Sequence, residues 1–330
     1  CFLASTLPVW MLLQPRDYLN SYLLYVMVVL GFLGVLFAAP SIEIPAFVGF
    51  ESQSGKSLVP FLFVTVACGA CSGFHALVAS GTTSKQLDSE RHIRPVAYGG
   101  MLLEGLLAIL ALVSVAYLSP SVLAEKNAAG HTPVMLFASG VASFCARFGI
   151  PTETAEVFFS LAIAAFLMTS VDTATRLARF IFEELVQAVK PPAQTNPAKT
   201  RRINMYASTS VVIAFVALLL FGDRTLAKSL WTMFASANQM LAAFTLLTAG
   251  LWLCSRRRGG WIAFIPMLVM LVTSGMAVVQ LFVGGVKKCA AEGFGAGGAV
   301  ATGAFVLLVL CISLLISGTT CFCRMMRERK

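Results

Sequence analysis

The chain has 330 residues, of which 58% are hydrophobic and only 12% charged, with a mean hydropathy of +0.84. A soluble domain carries roughly 25% charged residues, so this chain cannot cover a globular surface and reads as a polytopic membrane protein. Its net charge of +9 is gathered in short loops between apolar runs. That is the pattern of a topology signal rather than of a patch for nucleic acid or acidic lipid.

A bilayer core about 30 Å thick needs about 20 apolar residues in a helix. In chain order, the first candidate is Phe2–Leu13 within "CFLASTLPVWMLL". It has neither a start methionine nor the basic head of a signal peptide, so it reads as a span cut by the chain start, with earlier spans expected upstream. Leu19–Ala38, Leu58–Ser80, Ala97–Leu118 and Val157–Arg176 follow, then Tyr206–Phe221, Ser229–Leu253, Trp261–Val283 and Ala296–Ser317. The expectation is therefore an all-α bundle of about nine transmembrane helices.

Thr132–Phe148 is shorter, with Gly140 in its middle and Arg147 near its end. If it does not cross, the basic loops around Lys85–Arg94, Arg176–Arg202, Arg256–Arg258 and Arg324–Lys330 all fall on one side. If it crosses, that bias collapses. The positive-inside rule thus makes it a re-entrant or interfacial segment and puts the C-terminus in the cytoplasm. The stretch "KPPAQTNPAKTRR" has three prolines and no apolar periodicity, as a linker does. It divides a membrane block over 1–189 from a four-helix block over 206–330, with 190–205 between them.

Polar groups inside apolar runs tend to face a bundle interior or a cavity, because hydrocarbon cannot solvate them. The first such place is "CSGFHALVASGTTSKQ". Gly69 and Gly73 allow close helix contact. His75 is the one histidine in an evident span and a candidate to exchange a proton, and Ser80, Thr82 and Thr83 supply hydroxyls beside Gly81 at a broken helix end. The bland reading is packing, a capped helix and a hydrogen-bonded imidazole. Glu104, in "AYGGMLLEGLLAIL", is a carboxylate two turns into a span and a candidate proton carrier, with His75 or Arg94 as possible partners. Asp172 stands four residues before Arg176, which predicts an intrahelical ion pair at a membrane interface or, alternatively, a pathway residue. Asn238 and Gln239, in "WTMFASANQMLAAF", read either as glue between helices or as a second helix break.

No nucleophile elbow, zinc-protease helix, phosphate loop or dinucleotide fingerprint occurs, so neither enzyme activity nor a cofactor is expected. Cys68 and Cys71 have C-x₂-C spacing with His75 nearby, but they sit in an apolar run without a fourth ligand and read as small buried hydrophobes, not a metal site. Cys321 and Cys323 adjoin a basic tail where lipidation is conceivable.

The stretches "SGFHALVASGTTSKQL" and "RPVAYGGMLLEGLLAILAL" resemble the carbon starvation protein A (CstA) family of bacterial inner-membrane transporters. "LPVWMLLQPRDYL", "SVDTATRLARFIFEEL" and "LWTMFASANQMLAA" extend the resemblance over Leu7–Ala243. It implies uptake of small peptides, or of pyruvate, coupled to protons during carbon starvation. It also implies a partial inverted-repeat core of the amino acid–polyamine–organocation superfamily, with membrane lipid and a small solute as partners and no nucleic acid. Sodium coupling, with Ser80–Thr83 as ligands, is an alternative; so is a membrane-embedded starvation sensor or scaffold.

Overall fold

The computed structural model describes residues 1–47, 49–51, 57–189, 197–221, 224–293 and 295–327. Among them the α-helices are α1 (Phe2–Thr6), α2 (Val9–Ala38), α3 (Leu58–Ala70), α4 (Gly73–Gly81), α5 (Gly99–Ala116), α6 (Pro120–Ala128), α7 (Pro133–Cys145), α8 (Thr152–Val189), α9 (Pro197–Phe221), α10 (Arg224–Ser255), α11 (Trp261–Glu292) and α12 (Ala296–Arg327), with an isolated β-bridge between Glu51 and Ser57. Of the expected linker, residues 190–196 lie outside the described residues, and α9 starts within its remainder at Pro197. Proline is at home in a first helical turn, where its missing N–H is not needed.

Six of the described helical stretches are long and apolar enough to cross a membrane: Val9–Ala38, Glu90–Ala116, Thr152–Ala188, Trp231–Ser255, Trp261–Ala291 and Gly297–Arg324. Three segments expected to span do not meet that measure. Phe2–Leu13 is not a helix of its own. The chain breaks at Leu7–Pro8, and Val9 onward runs into α2 straight through Pro15. Leu58–Ser80 is interrupted, leaving pieces of 13 and 9 residues. Tyr206–Phe221 falls in a helix whose apolar part, Ile203–Leu218, is short.

The chain separates into two compact units, Cys1–Val48 with Leu87–Phe215, and Gly49–Gln86 with Val216–Lys330. In both, large apolar side chains such as Leu36, Leu112, Leu161, Ile262 and Ile316 point outward, as lipid-facing helices do.

The first unit is built around α7. Ala138, Val141, Ala142 and Cys145 are fully buried and pack with Met27 of α2, Leu110 of α5 and Phe159 of α8. At 13 residues, α7 is about 20 Å long, short of the ~30 Å hydrocarbon core. The ambiguous segment is thus a central packing element of its unit. Its close approach to α5 depends on Gly140, where an added Cβ would run into the Ser114 carbonyl and lie 2.9 Å from the carbonyl carbon.

The second unit is an α10–α11–α12 bundle with Met240, Val278, Ala304 and Cys311 at its core. Small residues bring its helices together: a Cβ on Gly285 would stand 2.8 Å from the Ala301 nitrogen, the close backbone contact that membrane helices use in place of a hydrophobic driving force.

Gly140→Ala should lower thermal stability in detergent by about 1–3 kcal/mol, because its methyl overpacks a backbone contact. Gly105→Ala, with nothing within 4 Å, should be neutral or stabilising by about 0.4–1 kcal/mol. Equal melting shifts for the two variants would contradict the α5–α7 packing.

Candidate functional site

In each unit a helix interruption among the described residues has its free end met by a side chain from another helix. In the second unit, the break is at Cys71–Ser72, between α3 and α4. Ser72 leaves helical geometry at φ −97°, ψ 132°, and its hydroxyl accepts from the His75 amide at 3.4 Å. The Phe74 amide donates to Asn238 Oδ1 of α10 at 2.7 Å. The Ser72 hydroxyl also meets the Asn238 carboxamide, 3.2 Å from Oδ1 and 3.1 Å from Nδ2. Two of the amides that a helix start leaves unpaired are thereby satisfied without water.

Gly73 is what allows α10 so close. A Cβ there would strike the Asn238 carbonyl and come within 2.6 Å of Leu241 Cβ. The next position of α10, Gln239, is buried and donates from Nε2 to Thr273 Oγ1 of α11 at 2.8 Å. Of the two readings of "SANQ", the structure realises the bonding one: α10 is continuous through Asn238 and Gln239, and the break it serves lies in another helix.

The rest of the opening polar stretch is more local. His75 is exposed in the first turn of α4. The Ser80 hydroxyl donates to the Leu77 carbonyl at 3.2 Å. Thr82 ends α4, with its amide on the Val78 carbonyl, and Thr83–Lys85 continue as a single 3₁₀ turn. α4 thus ends at Gly81–Thr82, and a further interruption lies upstream at Cys71–Ser72, where Ser72 caps the start of α4.

In the first unit the break is at Leu7–Pro8, and α8 provides the partners. Arg176 does not pair with Asp172, the partner its spacing predicts. Its Nη2 donates to the Ala4 carbonyl at 2.6 Å and also to the Leu7 carbonyl, closing the end of α1. Asp172, 2% exposed, is bound through Oδ2 by Arg16 Nη1 of α2, and the Cys1 nitrogen stands 3.2 Å from its Oδ1. One turn further, Asn20 donates to Thr169 Oγ1 at 2.9 Å. Thr169, Asp172 and Arg176 recur at helical spacing, so α8 turns one polar stripe toward α1 and α2. The legible signal for this was Arg16 and Asn20, four apart in "QPRDYLN", a face matched to that stripe.

Glu104 lies on α5, exposed, and makes no hydrogen bond or ion pair among the described residues. Arg94 precedes it in the π-helical turn Arg94–Tyr98 and is not its partner there. Cys71 is a half-buried free thiol, the side chain of Cys68 lies outside the description, and no group of three metal-ligating side chains occurs among the described residues.

The family model described as "Carbon starvation protein CstA" matches residues 1–133 and 121–277. The Escherichia coli protein named "Peptide transporter CstA" is 33% identical over 339 aligned positions, covering 83% of this chain and 48% of that protein. The Bacillus subtilis protein of the same name is 31% identical, covering 96% and 57%. The Escherichia coli "Pyruvate/proton symporter BtsT" is 28% identical, covering 85% and 49%. The chain spans about half the length of these curated relatives. No solved structure matches it significantly. The chain belongs to the carbon starvation CstA family.

Removing either member of the α2–α8 pair, by Asp172→Ala or Arg16→Ala, should cost about 3 kcal/mol, because it strands a charge in an apolar interior. The double variant Arg16→Met with Asp172→Leu should recover most of that loss, since a packed apolar pair replaces both charges. Additive losses in thermal unfolding would show that the two side chains do not act as a pair.

Proposed function

We propose that this member of the CstA family forms part of a secondary active transporter that takes up small peptides, or a short carboxylate such as pyruvate, across the bacterial inner membrane with protons as the coupling ion. Family membership carries the reading, since the relatives named above are a peptide transporter and a pyruvate/proton symporter. The interrupted helix α3–α4 supports it within the structure. A helix broken at membrane depth is sustainable only where protein or a polar cavity meets its ends, and transporters use such breaks to bind solutes.

On this reading α4 and its flanks, with His75, Ser80, Thr82 and Thr83, line the solute route, and Gly73 seats α4 against α10. Asn238 and Gln239 hold that route in shape from α10. Asp172 has a structural task in its pair with Arg16, whereas Glu104 has no partner among the described residues and is the better proton carrier, with His75 beside the solute. The fold would be a partial inverted-repeat core of the amino acid–polyamine–organocation type, with the C-terminus on the cytoplasmic side where the basic loops collect.

The full-length protein in proteoliposomes with an inward proton gradient should accumulate labelled pyruvate, dipeptide or tripeptide. Glu104→Gln should abolish gradient-driven accumulation while leaving the melting temperature unchanged, and Asp172→Asn should lower both together. Accumulation that needs sodium and fails in choline would replace the proton with sodium. Absence of accumulation for every solute offered would overturn transport in favour of a sensing role.

Orientation is read separately with a membrane-impermeant maleimide on intact cells. Cys289, half-buried near the end of α11, should be labelled, and Cys254 at the end of α10 should be spared. The reverse pattern would put the C-terminus outside.

A further inference from the structure

We infer that the turn joining α10 to α11, with the basic end of α12, is a docking site for the headgroup of an anionic phospholipid. By charge placement alone Arg256–Arg258 read as a topology signal; three features of the folded turn go beyond that.

The first is conformational. The Arg258 amide donates to the Leu253 carbonyl at 2.9 Å and the Arg257 amide to the Cys254 carbonyl at 3.0 Å, closing α10. This closure puts Arg257 in the left-handed region at φ 58°, where glycine is strongly favoured at a helix end. Glycines follow immediately at Gly259 and Gly260, yet the left-handed position carries an arginine. Basic residues complement the carbonyls of a last helical turn, but Arg256 and Arg258 already supply that. The strained position is therefore occupied for the sake of its guanidinium.

The second is rigidity and depth. Gly260 is buried, and a Cβ on it would come within 2.7 Å of Cys254 Sγ and 2.8 Å of the Phe264 ring, so the turn is tight and its three exposed arginines project from a fixed frame. Trp252 and Trp261 flank it, 57% and 74% exposed. Tryptophan rings favour the headgroup level of a bilayer. The Arg256 guanidinium sits 5.7 Å over the Trp252 ring, which holds a cation at that level.

The third is charge. The Phe322 ring of α12 meets Phe264 at 6.0 Å, bringing the exposed Arg327 to the same end of the bundle. No acidic residue occurs in 251–264. Guanidinium forks pair with phosphate oxygens in two parallel hydrogen bonds, and clusters of four to eight Lys or Arg beside a membrane helix attract anionic lipid. A lipid headgroup is the partner that reaches a phosphate to arginines held level with exposed tryptophans.

The test uses the full chain carrying Trp10→Phe and Trp231→Phe, so that fluorescence reports Trp252 and Trp261. It is reconstituted in phosphatidylcholine vesicles with an equal minor fraction of dibrominated phosphatidylglycerol or dibrominated phosphatidylcholine. Quenching by the brominated phosphatidylglycerol should be roughly twofold stronger, and R256Q/R257Q/R258Q should erase the difference. Because that variant removes three charges at once, R257G is measured beside it: relief of the left-handed strain should raise Tm while the lipid preference falls. Equal quenching by the two lipids, or a preference that survives the triple substitution, would overturn the assignment. Displacement of the preference by inorganic phosphate alone would also overturn it, in favour of a soluble anion.

Discussion

Helix ends that hydrocarbon cannot solvate are the constraint around which this chain is organised. A helix start leaves amides without partners and a helix end leaves carbonyls, and in lipid there is no water to take them. The chain nevertheless breaks its helices at Leu7–Pro8 and at Cys71–Ser72. In each case a longer helix reaches over with a side chain of the right polarity. Asn238 presents a carboxamide oxygen to the start of α4, and Arg176 presents a guanidinium to the carbonyls ending α1. Acceptor meets donor and cation meets carbonyl, as the two ends of a helix require.

That arrangement explains what the polar residues of the long helices do. Arg176 is drawn away from its neighbour along α8, so Asp172 is left to be neutralised by Arg16 of α2. An isolated buried carboxylate would cost several kcal/mol, and the contact with Arg16 offsets part of that cost. The gain is specificity of register, since α2 can slide or rotate on α8 only by separating Arg16 from Asp172 and Asn20 from Thr169. The Gly73 contact gives the same definition to α4 on α10, through shape in place of charge.

The candidate transport residues divide along the same line. Asp172, Asn238 and Gln239 are buried and engaged in holding helices together. His75 and Glu104 are exposed and have no structural duty among the described residues. A group that must change its protonation or its ligand during a cycle cannot also be a fixed strut, which is why the proposed function gives the coupling role to His75 and Glu104.

The sequence by itself determined the membrane class, the long apolar helices and the family. These follow from hydropathy, from the bilayer's fixed thickness and from ordered motifs that fold locally. It also identified which polar residues lay in apolar surroundings, because the cost of a charge or an amide in lipid does not depend on its partner. Only the tertiary structure decided the partners. Spacing put Arg176 beside Asp172, but the bond went to Arg16, 156 residues away. Besides the helix end at Gly81–Thr82, a break falls at Cys71–Ser72, where the start of α4 is capped by Asn238, 164 residues from the amide it accepts from. The short segment around α7, unreadable by length, became the centre of its unit because Gly140 admits the backbone of α5. Hydropathy and local propensity act within a turn or two of helix, whereas satisfying a buried polar group is settled by whichever helix packs against it.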